Sequence, residues 1–166
     1  LLVYCVFCTL MSFSIYTYTS QLLPHASGQG ASPMLIGMIG AIYGISQTAL
    51  RIPMRILSDY IHKRKLFLIL GILCCSVSAI GLCFISTPFW RFVWRFFAGA
   101  GISTWVISTV LFASYFPQSK RTRALSIISA FNSVGILSAM LLGGIVIGRF
   151  GYRSSFVLAA IASIIG

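Results

Sequence analysis

The sequence predicts an all-α membrane protein with six transmembrane helices, and three observations support that fold class. Apolar residues make up 58% of the 166 residues and charged residues 8%, whereas soluble domains hold roughly 45–50% and 25%. The apolar residues are gathered into long blocks, most of them about long enough to cross a hydrocarbon core. The basic residues lie mainly between these blocks. A chain with so few polar groups could not cover the surface of a soluble domain, so a membrane-spanning bundle is favoured.

Six helices are expected in order along the chain. They span about residues 1–20, 34–57, 66–86, 90–116, 123–148 and 153–166. The first could be a secretory signal, but it lacks a basic start and a small-residue cleavage site and contains the polar run 12–19, so an anchoring span is favoured. The third has few polar groups, which indicates a helix that faces lipid. The sixth is short and the chain does not begin with Met, so we interpret residues 1–166 as one half-domain of a longer protein.

The connections between the helices differ in charge. Those at about 58–65 and 117–123 carry six basic residues, whereas the first connection carries no Lys or Arg. By the positive-inside rule these two connections are predicted to be cytoplasmic, although Arg149 and Arg153 run against the bias. Membrane topology also explains the net charge of +11. No nucleic-acid partner is expected, because the basic residues do not gather along one soluble face.

A polar stripe follows the second predicted helix. It recurs every four residues, at Tyr43, Gln47, Arg51, Arg55 and Asp59, and Asp59 is the only acidic residue of the chain. Arg51 lies ~12 Å from Asp59 along the helix axis, inside the hydrocarbon zone, where an arginine needs water or a partner. Two interpretations stay open for Arg51: a functional role, and snorkelling toward the headgroups.

Arg95, in the fourth predicted helix, is a second intramembrane charge. Because Asp59 is predicted at the opposite membrane face, Arg95 must meet carbonyls, hydroxyls, water, a substrate or an acid outside residues 1–166. Further polar residues at mid-depth are Tyr16 in the first helix and Asn132 in the fifth. With Tyr43 and Gln47 they predict a polar cavity among helices one, two, four and five, although each alone could be a helix-to-helix hydrogen bond.

Small residues recur at helical spacing and predict close helix packing, because small side chains let backbones approach in lipid. They are Gly37, Gly40 and Gly44 in the second helix, Gly99 and Gly101 in the fourth, and Gly135, Gly143, Gly144 and Gly148 in the fifth.

No cofactor, metal site or enzymatic centre is expected. The five cysteines lie in apolar segments, and the Cys5–Cys8 pair has neither a second pair nor a neighbouring histidine. One acid and two separated histidines provide no acid pair, activated nucleophile or metal cluster. A channel is disfavoured as well, because six non-repeating spans show no ring-like polar pore.

Residues 55–65 resemble the loop signature that the major facilitator superfamily carries between its second and third helices. The aspartate of the signature falls on Asp59 and its basic pair on Lys63 and Arg64. The two glycine positions of the signature hold Arg55 and His62 instead.

Three further segments resemble motifs of the same family, in the family's order: residues 95–101, 120–124 and 143–156. The resemblance covers nearly the whole chain, as the six-helix amino-terminal half of a twelve-helix fold. It implies a secondary active transporter that moves a small solute by alternating access.

The resemblance also implies a gate and a set of partners. Arg55, Asp59, Lys63 and Arg64 would form the cytoplasmic gate of the transporter. The implied partners are a small-molecule solute, the lipid bilayer and the second half of the same protein, with a coupling proton or ion left open. The implied location is the bacterial cytoplasmic membrane. The alternative is a receptor or scaffold that retains the fold without transporting.

Overall fold

The computed structural model describes residues 2–28, 30–84 and 87–166, and every regular element within them is helical. The described helices are α1 (Leu2–Gly28), α2 (Pro33–Ile61), α3 (Arg64–Phe84), α4 (Pro88–Ser103), α5 (Trp105–Ser114), α6 (Arg121–Phe150) and α7 (Tyr152–Ile165), with a 3₁₀ turn at Gln118–Lys120 before α6. The predicted all-α class is therefore confirmed. The ends of two predicted helices, residues 1 and 85–86, lie outside the described residues.

Five segments of the described residues are long and apolar enough to cross a membrane. One of them, Phe89–Ser114, combines α4 and α5, which are separated at Thr104. There the Thr104 amide bonds the Gly101 carbonyl at 3.3 Å, the tighter i→i+3 pattern of a 3₁₀ turn. The single helix expected over residues 90–116 is thus two helices, because this turn interrupts the ladder. The shorter α7 has 14 residues.

The two ends of α2 follow ordinary capping chemistry. The Ser32 hydroxyl accepts the Leu35 amide at 3.3 Å, and Pro33 occupies the first turn, where its missing N–H costs nothing. At the other end His62 takes the left-handed conformation, with φ of 58°, and stops the helix. The chain therefore reverses within two residues and enters α3 at Arg64.

Small residues of α6 bring it against α1. Gly135, Ala139 and Gly143 are all buried and lie four residues apart on one side of the helix. A β-carbon at Gly135 would lie 2.6 Å from the Thr9 carbonyl oxygen, and one at Gly143 would collide with the Thr17 carbonyl. Residues larger than glycine would force these two helices apart, so this part of the small-residue prediction is realised at the α1–α6 contact.

Two glycines of α4 allow close contact with two neighbouring helices. A β-carbon at Gly99 would lie 2.5 Å from the Tyr43 carbonyl oxygen of α2, and one at Gly101 would lie 2.7 Å from the Gly71 carbonyl oxygen of α3. Consequently α4 sits between α2 and α3, while α3 also packs against α7 and α7 against α1.

The glycines of the second helix do not bring a neighbouring backbone close to α2 within the described residues. A β-carbon added at Gly37 or Gly44 would meet no atom within 4 Å, and one at Gly40 would meet only the Leu23 side chain, at 3.5 Å. After Lys65 in the first turn, the exposed large side chains of α3 are apolar, which fits the expectation of a helix that faces lipid: Leu66, Ile69, Leu70, Leu73, Val77, Ile80 and Phe84.

Candidate solute site and gate

Arg95 is buried between three helices and lacks an acidic partner. The side chain is 4% exposed, and its Cζ atom lies 4.3 Å from the centroid of the Tyr43 ring. Its Nη1 atom donates to the Thr19 hydroxyl at 3.3 Å, while Nε has no hydrogen-bond partner among the described residues. Arg95 of α4 thus touches α1 through Thr19 and α2 through Tyr43. We call these three residues the arginine cluster.

Gly99 determines where α4 meets α2 beside this cluster. It lies four residues after Arg95, one turn along α4. A side chain there would collide with the Ser46 hydroxyl and press on the backbone of Tyr43 and Gln47. Because Gly99 has no side chain, the helices come close enough for the Arg95 guanidinium to lie over the Tyr43 ring.

The charge of the arginine cluster is balanced only in part. The single carboxylate of the chain, Asp59, lies about 24 Å from Tyr43 along the axis of α2. A tyrosine face contributes about 0.5–2 kcal/mol to a cation, and the nearby Thr19 and Tyr18 hydroxyls are neutral acceptors. A buried guanidinium with five donors is not satisfied by these neutral contacts alone. The cluster therefore has hydrogen-bond donor capacity that the described residues do not use.

The four residues expected to line a cavity are distributed over two contacts. Tyr16 and Tyr43 pack against one buried group of side chains, and Gln47 lies half-buried beside Gly99. Asn132 instead accepts a hydrogen bond from the Ser12 hydroxyl, so it joins α6 to α1. Of the two interpretations that the sequence left open for Asn132, the structure favours the helix-to-helix hydrogen bond.

Arg51 is half-buried on α2, and its Nε atom has no hydrogen-bond partner in the described part of the chain. It lies eight residues, or about 12 Å, beyond Tyr43 toward Asp59. Arg51 is therefore a second incompletely bonded cation on the stripe, and it does not belong to the arginine cluster.

The residues of the expected gate meet at the turn between α2 and α3. Arg64 donates to one oxygen of Asp59 from Nη2 at 2.8 Å and from Nε at 3.2 Å, and Arg55 Nε approaches the other oxygen at 4.0 Å. Asp59 is 47% exposed, so water screens these ion pairs. Lys63 is exposed beside them. Asp59 is consequently held by two arginines and remains accessible at the end of the bundle.

Sequence reasoning missed Thr19 as a partner of Arg95. The polar run 12–19 in the first helix was the available signal, since eight residues cover all sides of a helix and polar side chains within a membrane hydrogen-bond to neighbouring helices. Ser12, in the same run, supplies the bond to Asn132.

The comparisons with known proteins agree with this architecture. The family model described as "Major Facilitator Superfamily" matches residues 2–166. The chain belongs to the major facilitator superfamily. It is an integral membrane protein with the helical fold of that family.

Two relatives illustrate the similarity within the superfamily. An uncharacterized transporter of Buchnera aphidicola subsp. Acyrthosiphon pisum is 31% identical over 136 residues, which cover 82% of this chain and 34% of the relative. The inner membrane transport protein YajR of Escherichia coli is 30% identical over 139 residues, or 83% of this chain and 30% of the relative. The chain thus matches about a third of the length of each relative.

Proposed function

We propose that this chain forms the amino-terminal half of a secondary active transporter that moves a small polar or anionic solute by alternating access. The observation that carries the proposal is the buried Arg95 guanidinium, which lacks an acidic partner and has an unbonded Nε in the described residues. In a bilayer an arginine at this depth is expected to face water, a partner or a ligand.

The residues expected at the site have different roles in this proposal. Arg95 attracts the solute, and the Tyr43 ring covers the guanidinium while no solute is bound. Tyr16 and Gln47 line the path beside it, and Arg51 extends the positive potential toward the gate. Asn132 contributes by holding α6 against α1, through the Ser12 hydroxyl.

The gate lies at the end of the bundle that carries Lys63, Arg64 and the 117–123 connection. We assign this end to the cytoplasm and the protein to a bacterial cytoplasmic membrane, because basic connections remain inside and both relatives above are bacterial. In this proposal Asp59 exchanges its bonds with Arg55 and Arg64 for groups of the second half when the cytoplasmic side closes.

A solute panel tests the role of Arg95 in the full-length protein. Purified protein is screened by thermal shift against monocarboxylates, dicarboxylates, neutral sugars and amines, and the hits are followed as flux in proteoliposomes. We expect stabilisation by anionic or polar solutes, abolished in Arg95→Gln and retained in Arg149→Gln, an exposed cation at a helix end. Stabilisation by amines alone, or full retention in Arg95→Gln, contradicts the proposed solute class.

The second candidate function is a receptor or scaffold that retains the fold. It is favoured by the loop signature, where Arg55 and His62 occupy two glycine positions. The same proteoliposomes separate the two functions. Binding that depends on Arg95 without counterflow or gradient-driven flux of the bound solute indicates a receptor, whereas flux indicates a transporter.

A further inference from the structure

A basic cavity lies on the α3 side of the gate and shares Asp59, Lys63 and Arg64 with it. Its volume is about 740 Å³. It is lined by Asp59, His62, Lys63, Arg64, Lys65, Leu66, Ile69 and Leu111. Two chemically different halves therefore meet in one cavity: charged residues of the α2–α3 turn and aliphatic residues of α3 and α5.

The charged half has an excess of positive charge. Asp59 is the only carboxylate in the lining and is bound to Arg64 at 2.8 Å. Lys63 and Lys65 make no ion pair among the described residues, and both are exposed. The cavity thus presents two ammonium groups without a counterion at the expected level of the lipid headgroups.

The aliphatic half continues directly into the exposed face of α3. Leu66 is 45% exposed and Ile69 is 54% exposed, although both border the cavity. Above them Leu73, Val77 and Ile80 continue the same apolar face along the helix. The ligand that matches a cationic cavity with an apolar stripe leading away from it is an amphiphile with an anionic head.

We propose that this cavity binds one anionic phospholipid of the inner leaflet, with its phosphate at Lys63 and Lys65 and its acyl chains along the exposed face of α3. Charge complementarity selects the headgroup, because basic residues near the membrane surface attract anionic lipids and basic pockets of membrane proteins bind their heads. The proposal concerns which lipid is retained, so lipid binding tests it without any measurement of solute flux.

Lipid retention by the full-length protein tests the proposal. Delipidated protein is titrated with phosphatidylglycerol or phosphatidylethanolamine of identical acyl chains, and the first bound lipid is counted by native mass spectrometry. We expect phosphatidylglycerol to bind at least tenfold more tightly. The double variant Lys63→Gln/Lys65→Gln should lose about tenfold or more of the affinity for phosphatidylglycerol and keep the affinity for phosphatidylethanolamine.

The matched control is Lys120→Gln/Arg123→Gln, which removes two exposed cations from the other basic connection at the same end. It should change the affinity for phosphatidylglycerol by less than twofold. An equal loss in both double variants, or equal binding of the two lipids by the unaltered protein, overturns the proposal in favour of general surface attraction. If Lys63→Gln/Lys65→Gln does not fold, Lys63→Arg/Lys65→Arg must retain the preference and Lys65→Gln alone must reduce it, and failure of either overturns the proposal.

Discussion

The Asp59 carboxylate and the Arg64 guanidinium form a two-bond ion pair across the turn between α2 and α3. Both Nη2 and Nε of Arg64 donate to the same oxygen, at 2.8 and 3.2 Å. Because Asp59 is about half exposed, such a pair is expected to contribute only about 0.2–1 kcal/mol to stability. The pair is therefore suited to exchange one partner for another at low energetic cost.

Replacing Asp59 should impair transport more than folding. We expect Asp59→Asn to insert normally, to shift the melting temperature by no more than about 4 °C, and to lower the solute flux of the full-length protein at least tenfold. Flux in proteoliposomes and thermal unfolding in detergent measure the two effects. Lys120→Gln, an exposed cation of the other basic connection, serves as the control and should leave both unchanged. Normal flux through Asp59→Asn contradicts the assignment of a gate.

Neighbouring glycines of α6 should respond oppositely to the same substitution. Gly143→Ala places a methyl group against the Thr17 carbonyl of α1 and should destabilise the protein by about 1–3 kcal/mol. Gly144→Ala meets no atom within 4 Å and should be neutral or stabilising by up to about 1 kcal/mol, because alanine favours the helix. Thermal or denaturant unfolding of the full-length variants compares them directly. Equal effects would show that α6 does not pack on α1 through Gly143.

The Tyr43 ring should matter to Arg95 more than the Tyr43 hydroxyl. That hydroxyl has no hydrogen-bond partner within 3.5 Å among the described residues, although the Tyr16 hydroxyl lies nearby, whereas the ring lies 4.3 Å from the Arg95 guanidinium carbon. We expect Tyr43→Phe to retain stability within about 0.5 kcal/mol and Tyr43→Leu to lose about 1–2 kcal/mol. Unfolding measurements test the order. A larger loss of stability in Tyr43→Phe than in Tyr43→Leu would contradict an interaction through the ring face.

The left-handed residue at the end of α2 should prefer glycine. His62 holds φ of 58°, which costs a side-chain-bearing residue about 1–2 kcal/mol, and its Nδ1 lies 2.9 Å from the Tyr60 carbonyl oxygen. His62→Gly relieves that strain and should raise stability by about 0.5–1 kcal/mol after the entropic cost of glycine. Because asparagine tolerates this conformation better than histidine, the stability of His62→Asn should lie between that of the unaltered protein and that of His62→Gly. The order glycine, asparagine, histidine in melting temperature is the expected result.

Ser12 and Asn132 should be coupled energetically. The Ser12 hydroxyl donates to the Asn132 side-chain oxygen across the α1–α6 contact. A double-mutant cycle with Ser12→Ala and Asn132→Ala should give a coupling of about 0.6–2 kcal/mol, the range of hydrogen bonds between membrane helices. A coupling near zero together with lost solute binding in Asn132→Ala would instead indicate that Asn132 lines the solute cavity.

Some features of the site could be predicted because they depend on local sequence. Asp59, Lys63 and Arg64 lie within six residues of one another, so a short turn must bring them together whatever the rest of the bundle does. Arg95 could be recognised as a functional candidate because burying a cation in a membrane needs compensation at any position. Its partners could not be recognised, because Thr19 and Tyr43 are 76 and 52 residues away in the chain.

The glycines show the same limit of prediction from the sequence. All nine that recur at helical spacing look alike in sequence, yet Gly99, Gly101, Gly135 and Gly143 meet neighbouring backbones whereas Gly37, Gly44, Gly144 and Gly148 meet no atom within 4 Å. Spacing along one helix indicates that a face is small. It does not indicate whether another helix covers that face, because the neighbour is chosen by the packing of the whole bundle.

The sequence by itself determined the membrane class, the approximate spans, the family resemblance and the residues able to carry charge. Hydropathy and helical periodicity are properties of contiguous residues, and a bilayer turns them directly into helices because each backbone must satisfy its own hydrogen bonds. Only the tertiary structure decided that Arg95 lies over Tyr43, that Asn132 bonds Ser12, and that Gly99 rather than Gly44 marks the α2–α4 contact. These outcomes depend on side-chain volumes where helices from distant segments cross, so a local sequence pattern does not predict them.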